Sequence, residues 1–326
     1  MSQKLLITGG TGFIGSVLTA YLLDHGYEVV VLDDLSTGHS KTLDSRASLI
    51  QASILDKSAL VAALVGVNTV INCAAKSLVE ESVSSPESYS QVNTEGTRVL
   101  LEAMKETQVT NIIFSSTAAV YGDSKIQPIT ESSEINPVNP YGKSKIEAER
   151  LISKFCSSGF TGITFRYFNV AGSYQSSTGQ LHIEDHKNES HLIPKILKNY
   201  IKNKEKSQLE IYGDNWPTKD GSCVRDYLHV VDLAHAHLLA LDALEVGKNQ
   251  VFNLGSGSGY SVFEVVNEIE KVVGDKLNRV ISPARKGDPA VLLADIDKAR
   301  KELGWIPKAN LNQIILDSWQ GAKQLG

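Results

Sequence analysis

The glycine-rich segment near the N-terminus constrains the fold of this chain more than any other feature. An apolar run at residues 4–8 leads into Gly9-Gly10-Thr11-Gly12-Phe13-Ile14-Gly15, and an amphipathic helical pattern continues to about Gly26. A second apolar run at 28–32 ends at Asp33. Strand, glycine turn, helix, strand and acid in this order predict the first βαβ unit of a doubly wound parallel sheet.

The same unit predicts a dinucleotide site. Glycines allow the backbone to approach a pyrophosphate, and the N-terminus of the following helix attracts that anion. We therefore expect cofactor contacts from the residues of this turn, namely Gly9, Gly12, Phe13, Ile14 and Gly15. The alternative, a tight turn that binds nothing, is disfavoured by the complete context.

The acid after the second strand predicts which dinucleotide binds. The Asp33 carboxylate can accept hydrogen bonds from both ribose hydroxyls of an adenosine. Its charge, doubled by Asp34, repels a 2′-phosphate. The sequence therefore predicts NAD as the cofactor in preference to NADP.

Composition limits the partners and the compartment. The net charge of −5 argues against a general nucleic-acid or anionic-membrane binder. No apolar stretch is long enough to span a bilayer, and the first strand begins too early for a signal peptide. Cys73, Cys156 and Cys223 lack metal-site spacing, which predicts reduced thiols in a cytoplasmic protein.

Strand and helix signals alternate through the first half of the chain. Strands are predicted near 4–8, 28–33, 48–51, 69–73, 111–115 and 161–166, and helices after the glycine turn and near 57–65, 88–106 and 140–156. Parallel strands with helical crossovers produce this alternation. It predicts an α/β fold, with a Rossmann-type domain over residues 1–170.

The pattern changes after about residue 170. A polar segment at 172–190 is predicted to be a loop. Later signals indicate helices near 192–204, 230–243, 261–273 and 310–323, and strands near 209–212 and 250–253. We expect residues 171–326 to form a smaller α/β lobe over the cofactor domain, with segments such as 225–250 able to return to that domain.

Tyr141 and Lys145 form the strongest chemical signal. Residues four apart share one helix face, and a lysine ammonium lowers the pKa of a neighbouring phenol, which makes it a usable general base. The spacing alone also occurs on ordinary solvated helices. Thr117 follows the strand at 111–115, where its hydroxyl could bond a reacting oxygen. The alternative is a turn threonine that bonds its own backbone.

The order Thr117, Tyr141, Lys145 completes a set that resembles the extended short-chain dehydrogenases/reductases. The segment G-D-N-W-P-T-K-D-G-S-C-V-R-D-Y at 213–227 is similar to the UDP-glucose (UDP-galactose) 4-epimerase family. Segments 166–172, 191–194 and 285–288 carry the same resemblance, which runs over almost the whole chain.

The resemblance implies an isomerase of galactose metabolism that epimerises C4 of a UDP-hexose, UDP-galactose to UDP-glucose, through a 4-keto intermediate. Tyr141 would take the proton from the sugar 4-OH as C4 passes hydride to NAD. Lys145 would hold the phenol acidic and bond the nicotinamide ribose, and Thr117 would bond the same sugar oxygen. NAD would stay bound through the cycle.

The resemblance also implies a set of substrate contacts. Arg225 and Arg285 match the diphosphate-binding arginines, Asp288 a uridine-ribose contact, Tyr212 a uracil-stacking aromatic and Asn169 an amide near the sugar diphosphate. His191 and Leu192 are further implied contacts, and Leu292 holds the position that sets the size of the sugar pocket. Without the resemblance, Arg225 could pair with Asp226 at the surface, and Tyr212 and Leu292 could be core residues.

The cofactor side departs from the family pattern at two places. Ser53 replaces the usual acid that holds the adenine amino group, so the grip on NAD is expected to be weaker there, beside Ile54. Lys76 comes one place earlier than in many relatives, which leaves its reach to the cofactor open. Asn93 is a further implied cofactor contact.

The polar segment contains three histidines, His182, His186 and His191, and Glu184 and Asp185 lie between the first two. The spacing of the histidines fits no standard zinc motif. We expect solvated or nucleotide-adjacent histidines and no metal.

Several alternatives stay open at this point. The nearest are UDP-N-acetylhexosamine and UDP-pentose 4-epimerases. A nucleotide-sugar dehydratase needs an additional acid where this chain has Ala118 and Ala119. A non-catalytic NAD(H) sensor would not need an activated phenol. By analogy with the family we expect a homodimer through the helices near 88–106 and 140–156.

Overall fold

The computed structural model describes residues 3–186, 189–204, 208–285 and 288–325. In these ranges the strands are β1 (Lys4–Thr8), β2 (Glu28–Asp33), β3 (Ser48–Gln51), β4 (Thr69–Asn72), β5 (Asn111–Thr117), β6 (Thr161–Tyr167), β7 (Asn169–Ala171), β8 (Tyr174–Gln175), β9 (Leu181–His182), β10 (Gln208–Tyr212), β11 (Val224–His229), β12 (Asn249–Leu254), β13 (Gly259–Ser261), β14 (Asn278–Ser282) and β15 (Val291–Leu292). The α-helices are α1 (Phe13–Asp24), α2 (Lys57–Ala63), α3 (Val79–Ser84), α4 (Pro86–Tyr89), α5 (Gly96–Thr107), α6 (Pro140–Cys156), α7 (Leu192–Asn203), α8 (Val230–Ala243), α9 (Val262–Val273), α10 (Asp297–Leu303) and α11 (Leu311–Leu325).

A seven-stranded parallel sheet forms the centre of the structure, in the order β12-β6-β5-β4-β1-β2-β3. Its strands are apolar on both faces, as β1 illustrates: Leu5 and Ile7 enter one core cluster and Leu6 enters the other. Alternate side chains of a strand point to opposite faces, so such a strand must be covered by helices on both sides. Helices α1 and α8 cover one face, and α2, α5 and α6 cover the other. The predicted Rossmann-type fold is confirmed.

The C-terminal part builds a smaller lobe with its own core. Helices α7, α9 and α11 pack together over the two-stranded sheet of β10 and β14. A second small sheet joins β7, β11, β13 and β15 beside the cleft. Strand β12 leaves this lobe and pairs with β6 as an edge of the main sheet, and α8 packs against α1. The division at residue 170 stays a prediction.

Most predicted elements occur within a few residues of their expected positions, but several details differ. The helix expected at 88–106 is interrupted, because residues 90–95 form a π-helical turn between α4 and α5. The segment at 172–190, expected to be a loop, contains the β8–β9 hairpin. Strands β7, β11 and β13 to β15 and the short helices α3 and α10 were not expected, because their apolar patterns are short or broken by charges. None of the helices in the described ranges is long and apolar enough to cross a membrane.

Candidate active site

One long cleft opens at the carboxyl ends of the central strands and continues to the C-terminal lobe. From the main sheet it is lined by the glycine turn, the ends of β2, β4 and β5, and the start of α6. From the other side it is lined by residues 167–170, part of the segment before α7, and Leu292. Ligands of doubly wound sheets bind at this edge, so the cleft is the candidate active site.

The glycine turn is shaped by close backbone contacts. Gly9 has φ +72°, and a Cβ there would lie 2.6 Å from the backbone nitrogen of Ala74. A Cβ on Gly15 would lie 2.1 Å from the Gly9 carbonyl oxygen. Gly12 caps α1, and the only atom within 4 Å of its notional Cβ is that same oxygen, at 3.6 Å. The first N–H groups of α1, which have no intrahelical acceptors, therefore face an open cradle that fits a pyrophosphate.

Asp33 is buried at the end of β2, beside this cradle. Its carboxylate oxygens accept hydrogen bonds from the backbone N–H of Thr11 at 3.0 Å and of Leu35 at 2.8 Å. Each oxygen keeps a further lone pair, so the carboxylate is oriented and can still accept two ribose hydroxyls. Asp34, in contrast, is exposed.

The turn after β3 carries Ser53, where the sequence departs from the family pattern. Ala52 and Ile54 line the cleft, whereas Ser53 does not. The Ser53 hydroxyl oxygen accepts the Leu55 N–H at 3.2 Å in a local turn. Ser53 therefore shapes the turn, and its contact with the cofactor stays a prediction.

Asn93 is buried in the π-helical turn and hydrogen-bonds to residues of two other segments. Its side chain accepts the backbone N–H of Lys76 at 2.8 Å and donates to the Lys76 carbonyl at 3.0 Å and to the Ser144 hydroxyl at 2.9 Å. It therefore fixes the loop after β4 against α6. The ammonium of Lys76 is paired with Glu81 at 2.7 Å.

Helix α6 presents Tyr141 to the cleft from its first turn. Asn139 caps the helix by accepting the Gly142 N–H at 2.8 Å, and Pro140 occupies the first helical position. A Cβ on Gly142 would lie 2.5 Å from the Ala119 carbonyl oxygen, so only glycine allows this close approach to the turn after β5. That approach brings Tyr141 beside Thr117.

The expectation that Lys145 and a bound nicotinamide together lower the pKa of Tyr141 stays a prediction. Burial raises the pKa of Tyr141 to about 12, and the Thr117 hydroxyl only partly opposes this by hydrogen bonding. The Lys145 ammonium is itself buried, donates to the Ser115 carbonyl at 2.7 Å and lies 4.8 Å from the Phe114 ring centre. Burial lowers the pKa of Lys145 to about 8. An activated phenol therefore requires additional positive charge in the cleft.

The Thr117 hydroxyl bonds the backbone of its own turn and can also bond a reacting oxygen. Its oxygen accepts the Ala119 N–H at 3.1 Å, which caps the short turn after β5. A hydroxyl that accepts one hydrogen bond still has its own proton to donate. The Ala119 N–H therefore orients the Thr117 hydroxyl, which can donate its proton to Tyr141 or to a substrate oxygen.

Tyr167 and Phe168 are among the cleft residues that were not recognised from the sequence. Tyr167 is the last residue of β6, and Phe168 follows it. Burial raises the pKa of Tyr167 well above its usual range. The rule that ligands bind beyond the carboxyl ends of strands would have identified both, because they follow a predicted central strand.

A buried ion pair supports the catalytic helix from behind. The Arg166 guanidinium on β6 donates to the Glu149 carboxylate on α6 at 2.6 and 3.0 Å, and both side chains are 7% exposed. Ser116 donates to the same carboxylate at 2.5 Å. The pair therefore fixes α6 against the two strands that end at Thr117 and Tyr167.

The predicted substrate residues fall into two groups. Asn169, His191 and Leu292 line the cleft together with Tyr141 and Thr117. Leu192 begins α7 directly after His191, and it packs against the lobe core. Leu292 pairs in register with Arg225 on the neighbouring strand β11, which connects this group to the second one.

The second group lies on the C-terminal lobe outside the cleft lining. The Arg285 guanidinium stacks over the Tyr212 ring at 3.9 Å, so Tyr212 is not a core residue. One Arg225 guanidinium nitrogen donates to the Pro289 carbonyl at 2.8 Å, and another lies 3.8 Å from Asp288. Arg225 does not pair with Asp226, whose buried carboxylate accepts N–H groups from other loops. Lys286 and Gly287, between Arg285 and Asp288, lie outside the described residues.

The histidines of segment 181–191 are not simply solvated. His182 is fully buried. His186 and His191 instead contact the carboxylates of Glu184 and Glu189. These carboxylates raise the pKa of His186 to about 9 and of His191 to about 10, although burial opposes the shift. His186, His191 and Glu184 also line the cleft.

Comparisons with known proteins agree with this geometry. The family model described as "Epimerase: NAD dependent epimerase/dehydratase family" matches residues 5–255. A UDP-glucose 4-epimerase of Corynebacterium glutamicum is 43% identical over 326 residues, which cover 99% of this chain and 97% of the relative.

Two solved structures are similar over almost the whole length. The UDP-glucose 4-epimerase of Bifidobacterium longum, in complex with NAD+ and UDP, superposes with a TM-score of 0.91 at 35% identity and covers 99% of both chains. That of Stenotrophomonas maltophila, with bound NAD and formylated UDP-arabinopyranose, has a TM-score of 0.93 at 31% identity and covers 99% of this chain and 98% of its own.

Proposed function

Because the chain belongs to the NAD dependent epimerase/dehydratase family, we propose that it is an isomerase that interconverts UDP-galactose and UDP-glucose at C4 with NAD as cofactor. One observation carries the proposal: a single cleft brings the Tyr141 phenol and the Thr117 hydroxyl together between the glycine turn and Leu292. The full-length likeness to UDP-glucose 4-epimerases supports the choice of reaction.

The residues present fit the cofactor. The cradle at Gly12 and the N-terminus of α1 would hold the pyrophosphate, and Asp33 would hold the adenosine ribose. NAD held there would supply the redox chemistry, as acceptor and then donor of the hydride at C4 of the sugar. A positively charged nicotinamide would add to the field of Lys145, so it would lower the pKa of the buried phenol.

Tyr141 and Thr117 handle the proton of the sugar. The phenolate of Tyr141 removes the 4-OH proton as the C4–H bond breaks, and it returns this proton to the same oxygen afterwards. Thr117, whose oxygen already accepts the Ala119 N–H, donates its own proton toward the reacting oxygen. Tyr141 lies in the first turn of α6, where the helix dipole favours a negative charge.

Different residues would bind the UDP part and the sugar part of the substrate. Arg225 and Arg285 hold the diphosphate, Asp288 the uridine ribose and Tyr212 the uracil, while Asn169, His191 and Leu192 lie toward the sugar end. Leu292 faces the sugar. Firm binding of the UDP with few contacts to the hexose would let the 4-keto sugar rotate about its link to phosphorus and present its other face.

The test is turnover of UDP-galactose by the purified protein, followed by a coupled assay for UDP-glucose, with UDP-N-acetylgalactosamine and a UDP-pentose assayed in parallel. Tyr141→Phe should lower the rate by about 10²- to 10⁴-fold and leave UDP binding near normal. A variant that keeps most of its rate would remove Tyr141 from the mechanism. Tight NAD binding without turnover of any UDP-sugar would instead favour a sensor.

We further infer a cytoplasmic homodimer that pairs through the helices α4, α5 and α6. The support is the family resemblance alone. Analytical ultracentrifugation would measure the mass, and charge-reversing substitutions on the exposed Arg98 and Arg150 would test whether these helices form the interface.

A further inference from the structure

A cluster of two histidines and two glutamates lies in the wall of the cleft, at the junction between the β9 segment and helix α7. It consists of Glu184, His186, Glu189 and His191, whose nearest ligand atoms all lie within 4.8 Å of one another. Only His191 of these four is among the substrate residues proposed above, and the proposed hydride and proton transfers use none of them. We propose that it binds one divalent transition-metal ion of the Zn²⁺ class.

The spacings in the cluster, from 2.7 Å to at most 4.8 Å, bracket the spacing between the ligands of a tetrahedral site. His186 Nδ1 lies 3.3 Å from a carboxylate oxygen of Glu184 and 3.3 Å from one of Glu189. His191 Nδ1 lies 2.7 and 3.1 Å from the same two carboxylates. Ligand bonds of about 2.0–2.2 Å in a tetrahedral zinc site place neighbouring ligand atoms about 3.3–3.5 Å apart. A small adjustment of four side chains would therefore complete the coordination.

Each imidazole faces both carboxylates with the same nitrogen. His186 Nδ1 is equally far from the two, and His191 Nδ1 lies closer to Glu184 than to Glu189. These contacts are ion pairs, and they also bring one ligand atom from each of the four residues within 4.8 Å of one another, which forms a site for a central cation.

Charge and burial are compatible with a metal. The side chains of Glu184 and Glu189 are each only 7% exposed, so two negative charges lie close together with little water. Two protonated imidazoles balance these charges, and one divalent ion with two neutral imidazoles balances them equally. Among the described residues, Lys198 adds a cation at the edge of the cluster, 3.7 Å from Glu189 and 3.4 Å from Asp185.

The donor set selects the class of ion and its role. Two imidazole nitrogens with two carboxylate oxygens suit Zn²⁺ and its neighbours better than Ca²⁺ or Mg²⁺, which prefer oxygen ligands. All four positions are filled by protein, as in structural zinc sites. We therefore infer that the ion fastens the segment before α7 to the start of that helix, in the cleft wall beside the sugar, and takes no part in hydride or proton transfer.

The test uses untagged protein purified without chelator, with metal measured by mass spectrometry after gel filtration. We expect about one equivalent of zinc per chain. The zinc-free protein should take up Co²⁺ with the visible absorption bands of tetrahedral Co(II). Glu189→Gln and His186→Gln should weaken binding by more than about 100-fold, beyond the usual cost of losing an outer hydrogen-bond partner.

The matched control is His39→Gln, because His39 is an exposed histidine near Asp185 and outside the cluster. It should keep the full metal content. The proposal is overturned if the zinc-free wild-type protein binds neither Zn²⁺ nor Co²⁺, or if the metal content is the same in wild-type, Glu189→Gln and His186→Gln proteins, which would mean an adventitious ion only. The Co²⁺ titration of the wild-type protein decides the question even if a variant folds poorly.

Discussion

The buried ion pair behind the cleft gives the clearest prediction about how the active site is held. Glu149→Leu removes the carboxylate and leaves Arg166 buried, at 7% exposure, without a counter-ion. Removing one partner of such a pair typically costs about 3–5 kcal/mol. Ser116, which donates to Glu149 at 2.5 Å, loses its acceptor as well, which favours the upper part of that range.

Thermal unfolding followed by circular dichroism measures this loss. At about 2 °C per kcal/mol for a chain of this size, the melting temperature should fall by roughly 6–10 °C. The double variant Glu149→Leu/Arg166→Met removes both charges, so it should recover much of the loss. Glu147→Gln on the same helix is the control, because its pair with Arg150 is 51% and 65% exposed and worth less than about 1 kcal/mol.

The reasoning would be refuted by two results. A Glu149→Leu melting temperature equal to that of Glu147→Gln would show that the buried pair contributes little. A double variant less stable than Glu149→Leu itself would show that the packing of Arg166, rather than its charge, decides the outcome. The comparison depends only on differences between variants of one protein.

Three further predictions concern the cleft. Lys145→Met should move the rising limb of the pH–activity profile to higher pH. Burial already raises the pKa of Tyr141 to about 12, and this variant removes the cation that stabilises the phenolate. An unchanged profile would contradict the role of Lys145. Denaturing the purified protein should release NAD or NADH, and recovery of NADP would contradict the electrostatic argument at Asp33. Leu292→Tyr should abolish activity on UDP-N-acetylhexosamines and spare UDP-galactose, since overpacking costs about 1–3 kcal/mol; an unchanged ratio would remove Leu292 from the sugar pocket.

The main sheet could be predicted because each of its strands is a short apolar run between turn signals. Strand β11 was not predicted, because it lacks a continuous apolar run. Its charged residues Arg225 and Asp226 break the pattern, and their partners come from distant loops, such as Ser256 and Pro289. Sequence patterns record local preference, and these side chains are satisfied by tertiary contacts.

The active site was predicted as a set of residues rather than as a geometry. The spacing of Tyr141 and Lys145 indicates one helix face, but it does not reveal that Lys145 donates to the Ser115 carbonyl. The π-helical turn at 90–95 contains Asn93, whose three hydrogen bonds reach the loop at Lys76 and helix α6. Such contacts join segments far apart in the chain, so no local pattern records them.

The arrangement of Glu184, His186, Glu189 and His191 before α7 also could not be predicted from a local sequence pattern. The sequence shows His186 and His191 with irregular spacing among acids, which matched no metal motif. The fold turns Glu184 and Glu189 toward both imidazoles, at distances that spacing alone does not give. Loop conformation, rather than residue type, creates this arrangement.

The most direct test of the proposed mechanism follows the hydrogen on C4. UDP-galactose deuterated at C4 is incubated with the purified protein in ordinary water, and the UDP-glucose formed is examined by NMR and mass spectrometry. Since the hydride is taken and returned within one cleft, the deuterium should be retained at C4 of the product. Loss of the label to water, or its appearance in free NADH, would contradict epimerisation by internal return of the hydride.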